Sequence, residues 1–208
     1  MTNHLMGVRS LADCEIALFI VYTLPADALE RGYEAWLGST DNPFFNSVPG
    51  VWHYTNWKID RVTLGAVDGW THFDFLGIRR RADLEQVWFS PELDRFRSEW
   101  VKLWGPPRGR VSELYGHSYV LEAGDAMPPL PRDRGTFSFG AGEPSALSSP
   151  WRLTHAVRKH FVPDMASRPG PWLIPAIEHN PLGFDWVALS TAASASLVLE
   201  ASRIAGPD

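Results

Sequence analysis

Hydrophobic positions run together over strand lengths in four places. Residues 14–23, CEIALFIVYT, carry no Gly or Pro and are rich in β-branched and aromatic side chains, which suits a strand buried on both faces. Residues 51–60, VWHYTNWKID, and 70–78, WTHFDFLGI, are two more such runs, and the turn between them holds Gly65 and Asp68-Gly69, a hairpin signal. A fourth run extends from His117 to Glu122.

Between these strands the pattern takes on the period of a helix. After Pro25-Ala26-Asp27, a suitable helix start, Leu29, Tyr33, Trp36 and Leu37 form one apolar stripe that is expected to end near Gly38. Residues 41–50, DNPFFNSVPG, are too rich in turn formers for regular structure; they predict a loop whose Phe44 and Phe45 cover something. A second helical pattern from Ala82 to Trp104 is interrupted at Pro91, where Ser90-Pro91-Glu92 has the form of an N-cap followed by Pro at the first helical position. Leu93, Phe96, Trp100, Leu103 and Trp104 then keep one stripe until Gly105-Pro106-Pro107 ends it.

The resulting β-α-β-β-α-β order predicts an α+β fold, a four-stranded antiparallel sheet with both helices on one face in the ferredoxin-like arrangement. The other sheet face would be bare. Soluble monomers avoid an apolar patch of that size, so the bare face should meet another sheet or be covered by the remaining chain. Two regions follow, 1–122 as the ferredoxin-like domain and 123–208 as an extension packed on it. The extension is Pro-rich, with ten of the seventeen Pro lying between Pro128 and Pro181. Only Trp151–Phe161 and Phe184–Ile204 suggest helix there.

Composition sharpens this picture at a few points. With 45% hydrophobic and 21% charged residues the chain is globular in type. Net charge is −5 and no stretch clusters Lys and Arg, which argues against a nucleic-acid partner. The apolar run Ile16–Tyr22 is too short for a membrane span, and Asp13 and Glu15 stand where a signal peptide would need its apolar stretch, so a cytoplasmic protein without membrane contact is expected. A single cysteine, Cys14, permits no internal disulfide and suits a buried strand position better than a nucleophile. Ten Trp, eleven Phe and five Tyr must line a core, a pocket or an interface.

The strand order over residues 14–122, Val48-Pro49-Gly50 leading into the second strand and Phe89-Ser90-Pro91-Glu92 opening the second helix together resemble the dimeric α/β barrel superfamily. That resemblance implies a homodimer packed sheet against sheet, with a pocket between sheet and helices or loops. Its members include cofactor-independent monooxygenases, cyclases, isomerases, aldoxime and haem-handling enzymes and stress proteins, so the fold leaves function open.

Strand alternation selects the candidate chemistry. On the third strand Thr71, Phe73 and Phe75 share one face, expected to meet the helices, while Trp70, His72, Asp74 and Leu76 share the open face. An Asp beside a His can fix its tautomer and raise its pKa, making His72 a candidate general base oriented by Asp74. On the second strand Trp52, Tyr54, Asn56 and Lys58 form the more polar set, and His53 is expected against the helices. Tyr54, Asn56 and His117 would polarise a substrate oxygen. Trp52, Trp57 and Trp70 would shape the cavity, Tyr22 and Tyr115 would stand near its mouth, and Phe44 and Phe45 would cover it. A metal site from His53, His72, Asp74 and His117 lacks a compact ligand motif, and no metal is expected. His155, His160 and the Glu178-His179-Asn180 turn suit surface or packing roles.

No P-loop, Gly-x-Gly-x-x-Gly or Gly-x-Ser-x-Gly pattern occurs, which disfavours nucleotide cofactors and serine hydrolysis. The expectation is a cofactor-independent enzyme acting on a small aromatic or polycyclic substrate by proton transfer, as a lyase or an isomerase/cyclase. The alternatives are a cofactor-independent or haem-linked monooxygenase of aromatic compounds and a non-catalytic binding module.

Overall fold

The computed structural model of the chain describes residues 9–67, 69–104, 116–122, 129–142, 151–155, 183–190, 192 and 194–207. Eight strands, β1 (Ile16–Tyr22), β2 (Val51–Leu64), β3 (His72–Ile78), β4 (Gly116–Glu122), β5 (Arg134–Gly140), β6 (Trp151–His155), β7 (Trp186–Ala188) and β8 (Leu197–Ala205), close into a barrel. Their order around it is β1-β3-β2-β8-β5-β7-β6-β4, and β4 returns to pair with β1. Every neighbouring pair is antiparallel.

The molecule is therefore an α+β protein built on a closed sheet, and the chain after Glu122 supplies half of its strands. This corrects the helical expectation for Phe184–Ile204, which contains β7 and β8, and for the described part of Trp151–Phe161, which is β6. The barrel offers these segments complete ladders of backbone partners, and such tertiary pairing overrides their mixed local propensity. It also changes the argument for a homodimer. The sheet face expected to meet another sheet or be covered by the remaining chain is covered by the chain's own β5, β7 and β8.

The barrel interior explains the Phe-rich sequence. Phe19, Phe73, Phe75, Phe137 and Phe139 are all fully buried there, joined by Trp57, Leu121, Val187 and Leu199. Phe19 lies with its ring centroid 5.5 Å from those of both Phe73 and Phe75 and 5.6 Å from that of Phe139, and Phe73 meets Phe137 edge-on at 5.0 Å. Burying each such side chain contributes about 1.5–3 kcal/mol. One end is sealed by a 3-10 turn, Leu11–Asp13, capped by Ser10. The seal needs Gly77, because a Cβ there would stand 2.6 Å from Cys14 Sγ and 2.7 Å from Leu11 Cδ1. Cys14 is buried in this seal, and burial with the Asp13 charge pushes its thiol up to about 12, so it is held as an inert packing group.

Outside the barrel lie short helices: α1 (Tyr33–Trp36), a π turn (Leu37–Asp41), α2 (Asn42–Ser47), α3 (Leu84–Trp88) and α4 (Pro91–Trp104). The first helical segment does not end at Gly38, and the loop expected at 41–50 is half helix. Pro43 falls in the first turn of α2, where its missing N–H costs nothing, and the preceding turn widens so that the Asn42 N–H reaches the Leu37 carbonyl.

The facing of β3 is the reverse of expectation. Phe73 and Phe75 fill the barrel, whereas His72 and Asp74 lie beneath the helical layer with Ile16, Leu18, Leu76 and Ile78. His53 likewise belongs to the barrel-side set of β2, near the seal at Arg9, Leu11 and Cys14, and not against the helices. Because the barrel closes, its interior is the drier side and takes the larger rings; the mixed face is left for the helices.

Candidate functional site

The polar residues of the outer sheet face gather on two adjacent rungs. In the first, Ile20, Asp74 and Asn56 are cross-strand partners; in the second, Tyr22, His72 and Lys58 are. The π turn and α2 pack over the first rung, and α1 over the second. Together they bury Asp41, Asn42, Tyr54, Asn56, His72 and Asp74.

Two carboxyl groups share one carboxamide. Asn56 Nδ2 donates to Asp41 Oδ2 and to Asp74 Oδ1, both at 2.9 Å. The Tyr54 hydroxyl donates to Asp74 Oδ2 at 2.9 Å and that of Tyr22 to Asp74 Oδ1 at 3.3 Å. Behind Asn56 stands a ladder of amides whose donors all point the same way: Asn46 Nδ2 donates to Asn42 Oδ1 at 2.9 Å, and Asn42 Nδ2 to Asn56 Oδ1 at 2.8 Å. The ladder is pinned to β2, because Asn46 Oδ1 accepts from the Tyr54 N–H at 3.1 Å and Asn42 Nδ2 also donates to the Tyr54 carbonyl at 3.0 Å. Each amide polarises the next toward the carboxyl pair.

Burial dominates the electrostatics. It pushes the Asp41 carboxyl up to about 7 against the hydrogen bonds from Asn56 and Tyr54. Asp74 is held well above the usual carboxylate range, by burial first and by the Asp41 charge second. Two carboxyls so close in a dry site cannot both ionise readily, and the pair retains a proton near neutral pH. Tyr22, Tyr33 and Tyr54 are raised by burial and by the same two acids, so all three stay protonated donors.

The expected His72–Asp74 hydrogen-bonded pair does not form, since successive same-face residues stand about 7 Å apart along a strand and Asp74 is engaged by Tyr22, Tyr54 and Asn56. His72 instead stacks on Tyr22, ring centroids 5.9 Å apart, and meets Tyr33 edge-on at 5.5 Å. Burial lowers its pKa to about 4, only partly opposed by Glu34, so the imidazole is neutral.

Of the residues singled out from sequence, the structure brings together Tyr22, Tyr54, Asn56, His72 and Asp74. Phe45 stacks on Tyr54 at 4.3 Å, and Phe44 stacks on Phe96 at 4.0 Å, so both belong to the helical layer over the sheet. Trp57 and Trp70 lie elsewhere, in or against the barrel core. Trp52 lies at the sealed end, flanked by Arg9 and Arg79 and donating to Asp13 at 3.2 Å. The rings near the polar rungs come from the helices: Tyr33, Trp36, Trp100 and Trp104. His117 lies on β4 opposite Val21, with its side chain outside the described residues, as is Tyr115 altogether. His53 is on the opposite face from His72 and Asp74, which divides the four-residue set considered above for a metal. Among the described residues no other three such groups come together.

Sequence reasoning missed Asp41, Asn42 and Asn46. A signal exists: Tyr33, Leu37, Asp41 and Phe45 recur every four residues and all four are buried, so Asp41 is one acid on an apolar stripe. Asn42 and Asn46 follow at the same spacing.

Fold and site define an α+β barrel protein with a buried dicarboxyl cluster between its sheet and its helices. No family model and no curated protein matches the chain. Among solved structures it is similar to the crystal structure of an anthrone oxidase-like protein, at 9% sequence identity and a TM-score of 0.40, over 93% of this chain and 74% of that one. No described helix is long and apolar enough to cross a membrane.

Proposed function

We propose that the protein is an enzyme that moves protons on a small aromatic or polycyclic substrate, as a lyase or an isomerase/cyclase, with Asp41 and Asp74 as its acid/base pair. The observation that carries this reading is the single carboxamide of Asn56 bridging two buried carboxyls at 2.9 Å each. A carboxyl near 7 is suited to both taking and returning a proton at neutral pH. In an isomerisation the ionised member accepts a proton from carbon beside a carbonyl, and the protonated member delivers one to another carbon of the enolate, with no net redox change. In an elimination the ionised member takes the proton from carbon, the carbon–carbon double bond forms as the carbon–oxygen bond breaks, and the protonated member delivers its proton to the departing hydroxyl, which leaves as water.

The fold reading belongs to the same proposal. The order β4-β1-β3-β2 is that of a ferredoxin-like sheet, and the order β8-β5-β7-β6 repeats it in the second half. This supports a dimeric-type barrel completed within one chain.

Solvent deuterium exchange into a panel of hydroxylated aromatic and polycyclic ketones tests the reading. Exchange by the parent protein, lost in Asp74→Asn and Asp41→Asn, is expected. Undiminished exchange in both variants overturns the acid/base assignment, and substrate-dependent oxygen uptake without exchange replaces it with oxygenation.

A further inference from the structure

The carboxyl pair leaves one buried group of the site without work. His72 is 1% exposed, yet neither ring nitrogen has a hydrogen-bond partner among the described residues. A buried polar atom in that condition costs free energy unless something else meets it. Its Nε2 lies 3.9 Å from Glu34 Oε1, too far for a direct hydrogen bond, while Glu34 Oε1 is 2.7 Å from Lys58 Nζ. Glu34 and Lys58 are each more than one-third exposed, so this rung is the one nearest solvent, and the carboxyl rung lies next to it, deeper in.

The chemistry of these groups restricts what they can hold. A neutral imidazole offers one donor and one acceptor. Glu34 adds an acceptor and a negative charge, and Lys58 is already paired with it. An oxygen set to one side of the Nε2–Oε1 line is within reach of both atoms. It must accept from one and donate to the other, which a hydroxyl does and a carboxylate does not. Tyr22 and Tyr33 set aromatic rings on two sides of the imidazole, matching a flat partner.

We infer that His72 and Glu34 form a recognition site for the neutral hydroxyl of a phenol- or enol-type substrate, holding the ring so that its reacting carbon points to the Asp41–Asp74 rung. This assigns His72 to binding and positioning, not to proton abstraction, and it rests on the acid/base reading only for the direction in which the ring points.

Titration of the full chain with naphthol, naphthoate and naphthalene tests it, read by Trp fluorescence and by the nitrogen resonances of labelled His72. Naphthol is expected to bind most tightly and to shift the His72 resonances. His72→Phe, which keeps the stack on Tyr22, and Glu34→Ala, which removes the acceptor at a part-exposed position that folding tolerates, should each weaken naphthol binding roughly tenfold, as loss of one hydrogen bond implies. Neither should change the weak binding of naphthalene. Arg61→Ala, at the exposed β2–β8 seam, should bind naphthol as the parent does, and because binding is read without turnover, failure of the proton-transfer reading leaves this test standing. Equal affinity for naphthol and naphthoate, unchanged naphthol affinity in both Glu34→Ala and His72→Phe, or His72 resonances unmoved by naphthol and set by water alone would overturn the inference.

Discussion

The two faces of β3 solve opposite problems with neighbouring residues. Phe73 and Phe75 face a barrel interior where volume and shape are at stake, and they pack against the rings of Phe19, Trp57 and Phe137. His72 and Asp74, each one residue away, face a layer where two carboxyls, three phenols and the carboxamides of Asn42 and Asn56 are sealed from water. A well-packed apolar set in that place would serve stability at least as well. Retaining an uncomfortable cluster beside so settled a core is the reason for placing the proposed chemistry on the helical side.

Truncating the settled side should have the largest effect on stability. Phe73→Ala is expected to cost about 3–5 kcal/mol in urea or thermal unfolding, the usual range for opening a cavity at a fully buried ring. A cost under about 1 kcal/mol would mean that the barrel core collapses around the gap and is less closely packed than its ring contacts indicate.

Asp74→Asn breaks the comparison from the other side. The amide keeps an acceptor for Tyr22 or Tyr54 and removes the repulsion from Asp41, so stability should stay within about 1 kcal/mol of the parent or rise. Deuterium exchange should nonetheless fall about a hundredfold or more. A variant that unfolds while retaining exchange per folded molecule would make Asp74 a structural residue.

The pH dependence of stability carries both signs. His72 and His53 have folded values near 4 against 6.5 unfolded, so between those values the unfolded chain binds more protons and stability rises with pH. Asp41, near 7 folded against 3.8 unfolded, holds its proton in the folded chain over the same window; its contribution is complete below 3.8 and is lost as pH rises through 7. Asp74 is raised and acts in the same direction. The opposed slopes largely cancel in the parent from about pH 4.5 to 6. Asp41→Asn removes one falling slope and should make stability climb with pH by up to about 1.4 kcal/mol per unit, measured as urea midpoints across that window. A flat profile in the variant would mean that the Asp41 proton is not held in the folded chain.

The smallest effect belongs to the exposed seam. Arg61 and Glu200 pair at 2.7 Å across the β2–β8 junction, and both are open to solvent. Arg61→Ala should leave the thermal midpoint unresolved from the parent.

Much of this was legible along the chain, unevenly. The alternation of β2 and β3 put Tyr54 with Asn56 and His72 with Asp74 on shared strand faces, because a period of two is a strong constraint. Which side those residues face was not, since that depends on what covers each face, and the cover is supplied by β5, β7 and β8, far along the chain. Leu197–Ala205 mixes apolar with helix-compatible residues and becomes a strand through pairing with β2 and β5. Asp41 was concealed among Asn42, Pro43 and Asn46, whose turn preference is real in isolation and is overridden where a widened turn lets the helix run on through Pro43.

The closure of the barrel also imposes an order of events on the chain as it is synthesised. Trp57 pairs across the seam with Arg203, so the Phe-lined inner surface of β1–β3 waits for well over a hundred further residues before β8 and β5 can cover it. Contacts of such long sequence separation form slowly, and until they do the growing chain presents its stickiest surface to its surroundings. Expression yield and dependence on chaperones should therefore track substitutions in β8 far more than those in the two polar rungs.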